Sequence, residues 1–460
     1  MRLASLLSPD IKQILKEDPD QVRELLEEIH PEDLADIVSE LEPDEAAELL
    51  ARIPAEDAAP IFERLDEHEQ EELVEQMPAE SVAEIASEMA ADDRADLFSV
   101  LPEAMGDELF EALEKVDPQA AQEVREIEQW PPTSAGHLMT TDFVGVSPNI
   151  HVWEALEVVR KRARERDEFV YTVYAVEKNK LAGVASLRDL LVADPAQAIV
   201  EIMRTNVISV PPTMDQEDVA RRMAKYDLNV MPVVADDGRL VGVITIDDII
   251  DVLVREQTED VQKIGAVEPL DVPYFQTTFL TFIKKRAVWL IVLFVEEFFT
   301  QTALRHYDPV MEAVKGALLY VPLLISAGGN SGSQSSTLVI RGLALGEIKL
   351  HDWWRILMRE AGMGIVLGCM IAVIAIGRVL MYPDQNFQFA VTVGLTVLCI
   401  IVSGCTIGSM LPIVLKRVGV DPATSSTPFI ASLVDTLGVI IYAHVAMLVM
   451  RDVIARAVVH

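Results

Sequence analysis

Asp435 stands inside the apolar run PFIASLVDTLGVIIYAHV, where a carboxylate has little reason to be. An ionised acid at the centre of a bilayer costs about 2.5–3.5 kcal/mol on insertion scales, so it persists only where it meets water, a cation or a partner. No lysine or arginine follows it in that run before Arg451, near the end. The residue types therefore favour a pore-lining acid over a sealed, hydrogen-bonded one. Glu296 and Glu297 in LIVLFVEEFFTQTAL break the same rule. They lie nearer the end of their run, from which a long side chain can snorkel to the headgroups. His444 is read as a packed residue without a role.

A second anomaly is AGGNSGSQSS at 327–336, which places three glycines, four serines and the amides of Asn330 and Gln334 in an otherwise apolar stretch. A lipid-facing helix would not choose that composition. Close helix packing or a water-lined, broken helix would. GVDPATSSTP at 419–428 leads into the run of Asp435 with the same polar, proline-punctuated character. Two such elements converging on one carboxylate make an oxygen-rich pathway.

These residues need a scaffold, and charge segregation outlines it. The chain has 460 residues and a formal net charge of -36, yet half of its residues are apolar. Residues 1–130 hold 39 acids against 9 bases, 131–275 hold 24 against 15, and 276–460 hold 11 against 14. Such a surface repels phosphate, which excludes a nucleic-acid partner and favours cations. The three cysteines form neither a disulfide framework nor a zinc spacing.

The C-terminal block contains five runs long enough to span a bilayer, roughly 287–305, 313–340, 358–382, 388–415 and 427–450. With the first entering from the cytosol after Lys284, Lys285 and Arg286, nine basic residues fall inside and five outside. That asymmetry places the N-terminal blocks in the cytosol and the C-terminus outside a plasma (inner) membrane. The start, MRLASLLSPD, lacks the apolar core of a secretory signal, in keeping with that orientation.

From position 30 the first block repeats every twelve residues: HPEDLADIVSEL, EPDEAAELLARI, PAEDAAPIFERL, DEHEQEELVEQM, PAESVAEIASEM, AADDRADLFSVL, PEAMGDELFEAL. Most units open with proline and acids, and each is expected to be one short helix, stacked with its neighbours into an acidic superhelix. In the second block GVASLRD (183–189) and GVITIDD (242–248) share G-x-x-[S/T]-x-x-D. Each follows a β-rich run, and each is preceded by a Met-containing opening and an amphipathic helix. The two units resemble a tandem pair of CBS repeats. That resemblance implies an adenine nucleotide site, ATP or another, with Asp189 and Asp248 on ribose and Arg188 near phosphate. Capping of the following helices is the competing role for both aspartates. No P-loop, no nucleophile with a paired base and no histidine cluster occurs, so no enzyme is expected.

GGNSGSQSSTLVIR and LPIVLKRVGVDPATSSTPFIASLVDTLG resemble the MgtE family of magnesium channels and transporters. The likeness covers essentially the whole chain. It implies a multidomain membrane protein: an all-α acidic superhelix (1–130), an α/β CBS pair (131–250, repeats 137–192 and 201–252), a connecting plug helix (251–275) and a five-helix transmembrane domain (276–460). It also implies a homodimer in which Asp435 of each protomer forms the ion site, with Asn330 and Gln334 nearby. Ser333 stands where the family more often has Asn, and Ala431-Ser432 where it commonly has a threonine pair.

The implied ion fits the residues. Mg²⁺ demands octahedral oxygen ligands and dehydrates reluctantly, so few carboxylates and many acceptors suit its hydrated form. Moving two charges through ~100 mV yields about 4.6 kcal/mol, and inward flow needs no other engine. Cytosolic Mg²⁺ bridging Asp92, Asp93 and Asp96 of the superhelix, Asp247 and Asp248 at the end of the second repeat, and Asp251, Glu256, Glu259 and Asp260 of the plug helix would close the pore. The competing functions are a Co²⁺, Ni²⁺ or Mn²⁺ transporter and a membrane-anchored nucleotide sensor. Transition-metal selectivity usually recruits His or Cys, and neither adjoins Asp435 in sequence.

Overall fold

The structure, a computed structural model, describes residues 29–165, 171–270, 274–275, 277–314, 316–383 and 385–458. The first 28 residues of the acidic block and Lys315, one of the five outside bases, lie outside the described residues. The chain divides into two compact units between Val254 and Arg255.

Each twelve-residue unit folds as one helix: α1 (Pro31–Val38), α2 (Pro43–Leu50), α3 (Ala55–Phe62), α4 (Glu67–Gln76), α5 (Ala79–Glu88), α6 (Ala91–Val100) and α7 (Glu103–Val116). An eighth, α8 (Pro118–Glu128), is capped by Asp117. Proline sits at the first helical turn of α1, α2 and α8 and at the N-cap of α3, α5 and α7. Its missing N–H costs nothing at either place, because the first turn has no intrahelical acceptor to satisfy. Helices of two to three turns are marginal alone. Here each packs chiefly on the next but one, and Leu34, Ala46, Ala58 and Val82, the fifth residues of their units, line the core.

The middle block contains β1 (Val144–Val146), α9 (Val152–Glu165), β2 (Thr172–Glu177), β3 (Lys180–Ser186), α10 (Leu187–Val192), α11 (Ile199–Ile202), α12 (Gln216–Tyr226), β4 (Val230–Val234), β5 (Leu240–Thr245) and α13 (Ile246–Ile264). β1 pairs parallel to β2 and β2 antiparallel to β3. The second repeat copies this, with β4 antiparallel to β5 and Val210 bridged to Val233 in place of a first strand. The openings of the repeats are exchanged. Thr140 pairs with Val243 of the second repeat, and Arg204 pairs with Val184 of the first. The two motif glycines make the exchange possible. A Cβ on Gly242 would lie 2.7 Å from the Thr140 carbonyl and against Met139; one on Gly183 would lie 2.9 Å from the Arg204 carbonyl and against Met203. Neither repeat is complete without the other.

One expected boundary lies within α13. The expected division at 250 falls inside this helix, which runs unbroken from the second repeat into the sequence read as a separate plug, because neither glycine nor proline interrupts it. Ile249 and Val252 are its buried residues, whereas Ile250 is exposed.

The second unit holds α14 (Phe279–Ala313), α15 (Ala317–Ala344), α16 (Trp353–Leu380), α17 (Phe387–Arg417), α18 (Thr427–Val449) and α19 (Arg451–Val458). Among the described residues four helices are long and apolar enough to cross a membrane, by length and composition: α14, α16 with the turn before it, α17 and α18. α15, the expected second span, has the length, but its serines, glycines and amides lower its hydropathy. The glycine-rich run does not break it, so of the two expectations for that segment close packing is the one realised. Gly328 and Gly332 of α15 face Gly404 and Gly408 of α17 at i, i+4 spacing on both helices, and a Cβ on Gly408 would overlap the Gly332 carbonyl. Small residues let two membrane helices approach this closely. α17 is the most buried of the four apolar helices and α14 the least. His444, expected to be packed, is exposed, with its ring edge on Tyr307 at 5.5 Å.

Candidate functional site

α15 and α18 bring the two sequence anomalies together. A Cβ on Gly329 would lie 3.2 Å from Ala431 Cβ and 3.7 Å from Asp435 Oδ1, so the acid rests against backbone that lacks a side chain. Ser333 Oγ donates to the Thr427 carbonyl at 3.3 Å and ties the same face of α15 to the start of α18. Asn330 follows Gly329 directly. It shares with Ser326, Gln334, Thr337 and Arg341 a polar stripe that is exposed in the single chain. A polar stripe on a helix packed among membrane spans is costly against lipid and needs water or another polar surface.

α14 supplies the remaining carboxylates. Glu296 and Glu297 lie within electrostatic range of Asp435. Ser432 Oγ donates to Glu297 Oε2 at 3.4 Å, and the Thr300 and Thr436 hydroxyls hydrogen-bond at 2.7 Å. One oxygen of Glu296 is buried without a hydrogen-bond partner. Three acids thus lie near one another in a segment with no basic partner among the described residues.

The sequence pattern did not single out Glu360. This acid of α16 is 6 % exposed and accepts a 2.7 Å hydrogen bond from Ser335 Oγ. Lys263 and Asp421 were missed as well. The Lys263 ammonium contacts Asp421 Oδ2 at 2.7 Å and also pairs with Glu259. Burial alone would lower its pKa, but the hydrogen bonds to Asp421 and Glu259 hold it above the ordinary lysine value. Asp421 in turn caps the short turn Pro422–Thr424, which is what its Asp-Pro sequence encodes.

In the first unit two of the aspartates read as cation-bridging come together. Burial, then the nearby charges of Glu63, Asp248 and Asp96, push the Asp93 carboxyl well above the usual range. Burial, with Asp247 and Asp251 nearby, pushes Asp248 up to about 6 against the opposing hydrogen bond from Thr245. Glu63 is the member that sequence reasoning missed. It sits just past α3, where an acid near a helix C-terminus is unfavourable unless a tertiary role holds it. Asp96 also faces His137 Nε2 at 3.1 Å, and Asp92 has one buried oxygen. Among the described residues no three His, Cys, Asp or Glu side chains are arranged to hold a metal ion. Asp247, Asp251, Glu256, Glu259 and Asp260 all lie on α13.

Asp189 is the third helical residue of a capping box with Ser186, and Asp248 stands in the same relation to Thr245. The expected capping is therefore present in both repeats, one turn inside the helix and not at the cap itself. The Ser186 hydrogen bonds, with Arg204 and Arg188 nearby, hold Asp189 below the usual carboxylate range. Arg204 Nη2 lies 3.9 Å from Asp189, while Arg188 is exposed.

Comparison with known proteins places these features. The family model described as MgtE, divalent cation transporter, matches residues 321–445; that of the MgtE intracellular N domain matches 29–133; and CBS domains match 135–195 and 199–255. The magnesium transporter MgtE of Thermus thermophilus is 39 % identical over 97 % of this chain and 99 % of its own length. That of Enterococcus faecalis is 34 % identical over 72 % of this chain and 73 % of its own. The solved soluble part of a magnesium transporter (30 % identity, TM-score 0.52) covers 55 % of this chain and 99 % of that one. The cytosolic domain of the Mg²⁺ channel MgtE in complex with ATP (38 % identity, TM-score 0.50) covers 54 % of this chain and all of that one. From the acidic helices through the CBS pair to the helices around Asp435, the chain belongs to the MgtE family of magnesium transporters.

Proposed function

We propose that this chain admits Mg²⁺ through a pore at the interface of a homodimer, with five spans per protomer, and that Asp435 meets the partly hydrated ion. The observation that carries this is the Asp435 carboxylate lying against Gly329, beside the exposed polar stripe of Asn330 and Gln334. A second copy covers that stripe and encloses water between the two. Glu296 and Glu297 add to the negative field that draws a cation in. Asn330, Gln334 and backbone carbonyls offer acceptors to bound water, which suits an ion that dehydrates reluctantly. Uptake into liposomes holding the purified chain, with Co²⁺, Ni²⁺ and Mn²⁺ as competitors, tests the reading. Failure to take up Mg²⁺, or preference for a transition metal, overturns it.

The acidic first unit supplies the control. Cytosolic Mg²⁺ shared among Asp92, Asp93, Asp96, Asp247 and Asp248, and along α13 among Asp251, Glu256, Glu259 and Asp260, favours the closed pore. With no preformed three-ligand site among the described residues, several weak sites must act together. A tenfold preference at each of four contributes about 1.4 kcal/mol apiece, together the ~5.5 kcal/mol needed to swing a gate from 1:99 to 99:1.

The raised carboxyls make this testable. An acid whose folded pKa exceeds its unfolded value binds protons in the native state across the window between them, so stability falls as pH rises through it. For Asp248 that window runs from 3.8 to about 6. Above it the penalty is complete, and a divalent cation can offset it. Millimolar Mg²⁺ is expected to raise the thermal midpoint of the first unit in the full chain by about 3–6 °C at pH 7.5 and by much less at pH 5. Equal shifts at both pH values count against bridging by these carboxylates.

An adenine nucleotide would bind at the CBS pair; a related cytosolic domain is solved in complex with ATP. Asp189 would face ribose, with Arg204 and Arg188 available to phosphate. Nucleotide there supports the regulatory role and does not replace transport, since a tethered sensor has no use for three intramembrane acids.

A further inference from the structure

α16 turns most of its surface outward and buries a narrow stripe: Glu360, Gly364, Gly368, Ala372, Ala375 and Val379. The stripe is made of small or apolar residues except for its first member. Glutamate is an expensive choice in a membrane helix, and its neighbours show that a small residue would fill the same line of contact. What Glu360 adds is reach. Its carboxylate accepts from Ser335 of α15 at 2.7 Å, and both residues are more than nine-tenths buried.

Ser335 does not need that partner to be satisfied. Hydroxyls in membrane helices donate readily to the carbonyl four residues back, as Thr337 does to Ser333 and Thr396 to Thr392 here. Ser335 instead donates across to another helix, and this sets the rotation of α15. One turn earlier Ser331 donates to the Gly328 and Ile401 carbonyls. Ser331 and Ser335 therefore anchor the buried side, while Asn330 and Gln334, each one residue before, lie on the exposed stripe. A helix advances 100° per residue, so the rotation at which Ser331 and Ser335 are anchored also fixes where Asn330 and Gln334 lie.

We propose that Glu360 is a positioning residue for ion passage: through Ser335 it holds α15 at the rotation that presents Asn330 and Gln334 beside Asp435. This rests on the reading that the exposed stripe carries the ion. It requires the carboxyl as a hydrogen-bond acceptor and gives it no contact with the ion.

Two measurements on the full chain test it. In liposomes, Glu360→Leu is expected to lower Mg²⁺ uptake about tenfold, a modest misplacement by the standards of oriented groups, and to narrow the preference for Mg²⁺ over Co²⁺. Glu360→Gln, which keeps an accepting oxygen, holds uptake within about twofold. Ser335→Ala matches Glu360→Leu, and the double variant is no worse than either. Leucine is cheaper than glutamate in a bilayer, so membrane insertion is not impaired, and the glutamine variant separates loss of the acceptor from loss of packing. Separately, with Cys369, Cys399 and Cys405 replaced by serine, Gln334→Cys should react quickly with a water-soluble thiol reagent and several-fold more slowly once Glu360→Leu is added. Unchanged labelling overturns the proposal, as do unchanged uptake in Glu360→Leu and a Glu360→Gln variant as impaired as the leucine one. No Mg²⁺ uptake by the unaltered chain would strike the pore reading instead, and the labelling would still decide the role of Glu360.

Discussion

Asp435→Asn is expected to reduce Mg²⁺ uptake more than a hundredfold in liposomes held at a fixed membrane potential. The substitution keeps the shape of the side chain and removes only its charge. At an effective dielectric constant of ~20, one carboxylate attracts a divalent ion ~5 Å away by about 7 kcal/mol. If only half of that, about 3.3 kcal/mol, survives competition from water and from Glu296 and Glu297, the loss still exceeds the ~2.7 kcal/mol that corresponds to a hundredfold. Two-fold symmetry would remove both such charges at once. Glu297→Gln is expected to act in the same direction with smaller effect, because Glu297 flanks Asp435 through Ser432 and does not sit against Gly329. A neutral amide costs less than a carboxylate in the bilayer, so membrane insertion is not impaired. Uptake by Asp435→Asn within twofold of the unaltered chain, at matched protein per vesicle, would show that the ion passes elsewhere.

The parts of this molecule that sequence disclosed are those governed by local period or by cost. A twelve-residue repeat opened by acids, and in most units by proline, starts a helix in each unit, and α1–α7 follow it one for one. An acid in an apolar run announces itself, as Asp435 does. The parts that stayed hidden depend on tertiary partners. Gly183 and Gly242 mark motifs in sequence, but only the exchange of Met203 and Met139 between repeats explains why each must lack a side chain. Glu360 follows Arg359 within a turn of aromatic and basic residues, where an acid resembles an interfacial one. Its meaning comes from Ser335, 25 positions earlier and on another helix. Glu296 and Glu297 were legible as anomalies but not as neighbours of Asp435, because helix order around a membrane bundle is not written in any single span. α15 gives up hydropathy for the small and polar residues that let it pack on α17 and line the stripe, so composition alone passes it over.

Arg94 breaks the repeat most sharply, and its loss should be the most damaging substitution in the acidic helices. It is the fifth residue of its unit, the position that Leu34, Ala46, Ala58 and Val82 give to the core, and it is 0 % exposed. Gln70 holds the same position two units earlier, and there its amide donates to the Phe62 carbonyl at 2.9 Å, the last residue of α3. Arg94 does this more fully. Its guanidinium donates to the carbonyls of Ala86 at 2.6 Å and Met89 at 2.7 Å, at the end of α5, and reaches Glu123 of α8 at 3.0 Å. One side chain thus satisfies the unpaired carbonyls of one helix end and neutralises an acid on a third helix. Arg94→Met fills similar volume but leaves those acceptors buried and Glu123 without its cation. Breaking a buried pair from one side costs about 3–5 kcal/mol. Amide hydrogen exchange in α5, α6 and α8 of the full chain is therefore expected to accelerate about 10²–10⁴-fold, with the membrane helices unchanged. Arg94→Lys keeps the charge but cannot span three acceptors with one ammonium, so it should recover only part of the protection. Exchange in Arg94→Met as slow as in the unaltered chain would mean that the carbonyls find water instead, and that the buried arginine is dispensable to the superhelix.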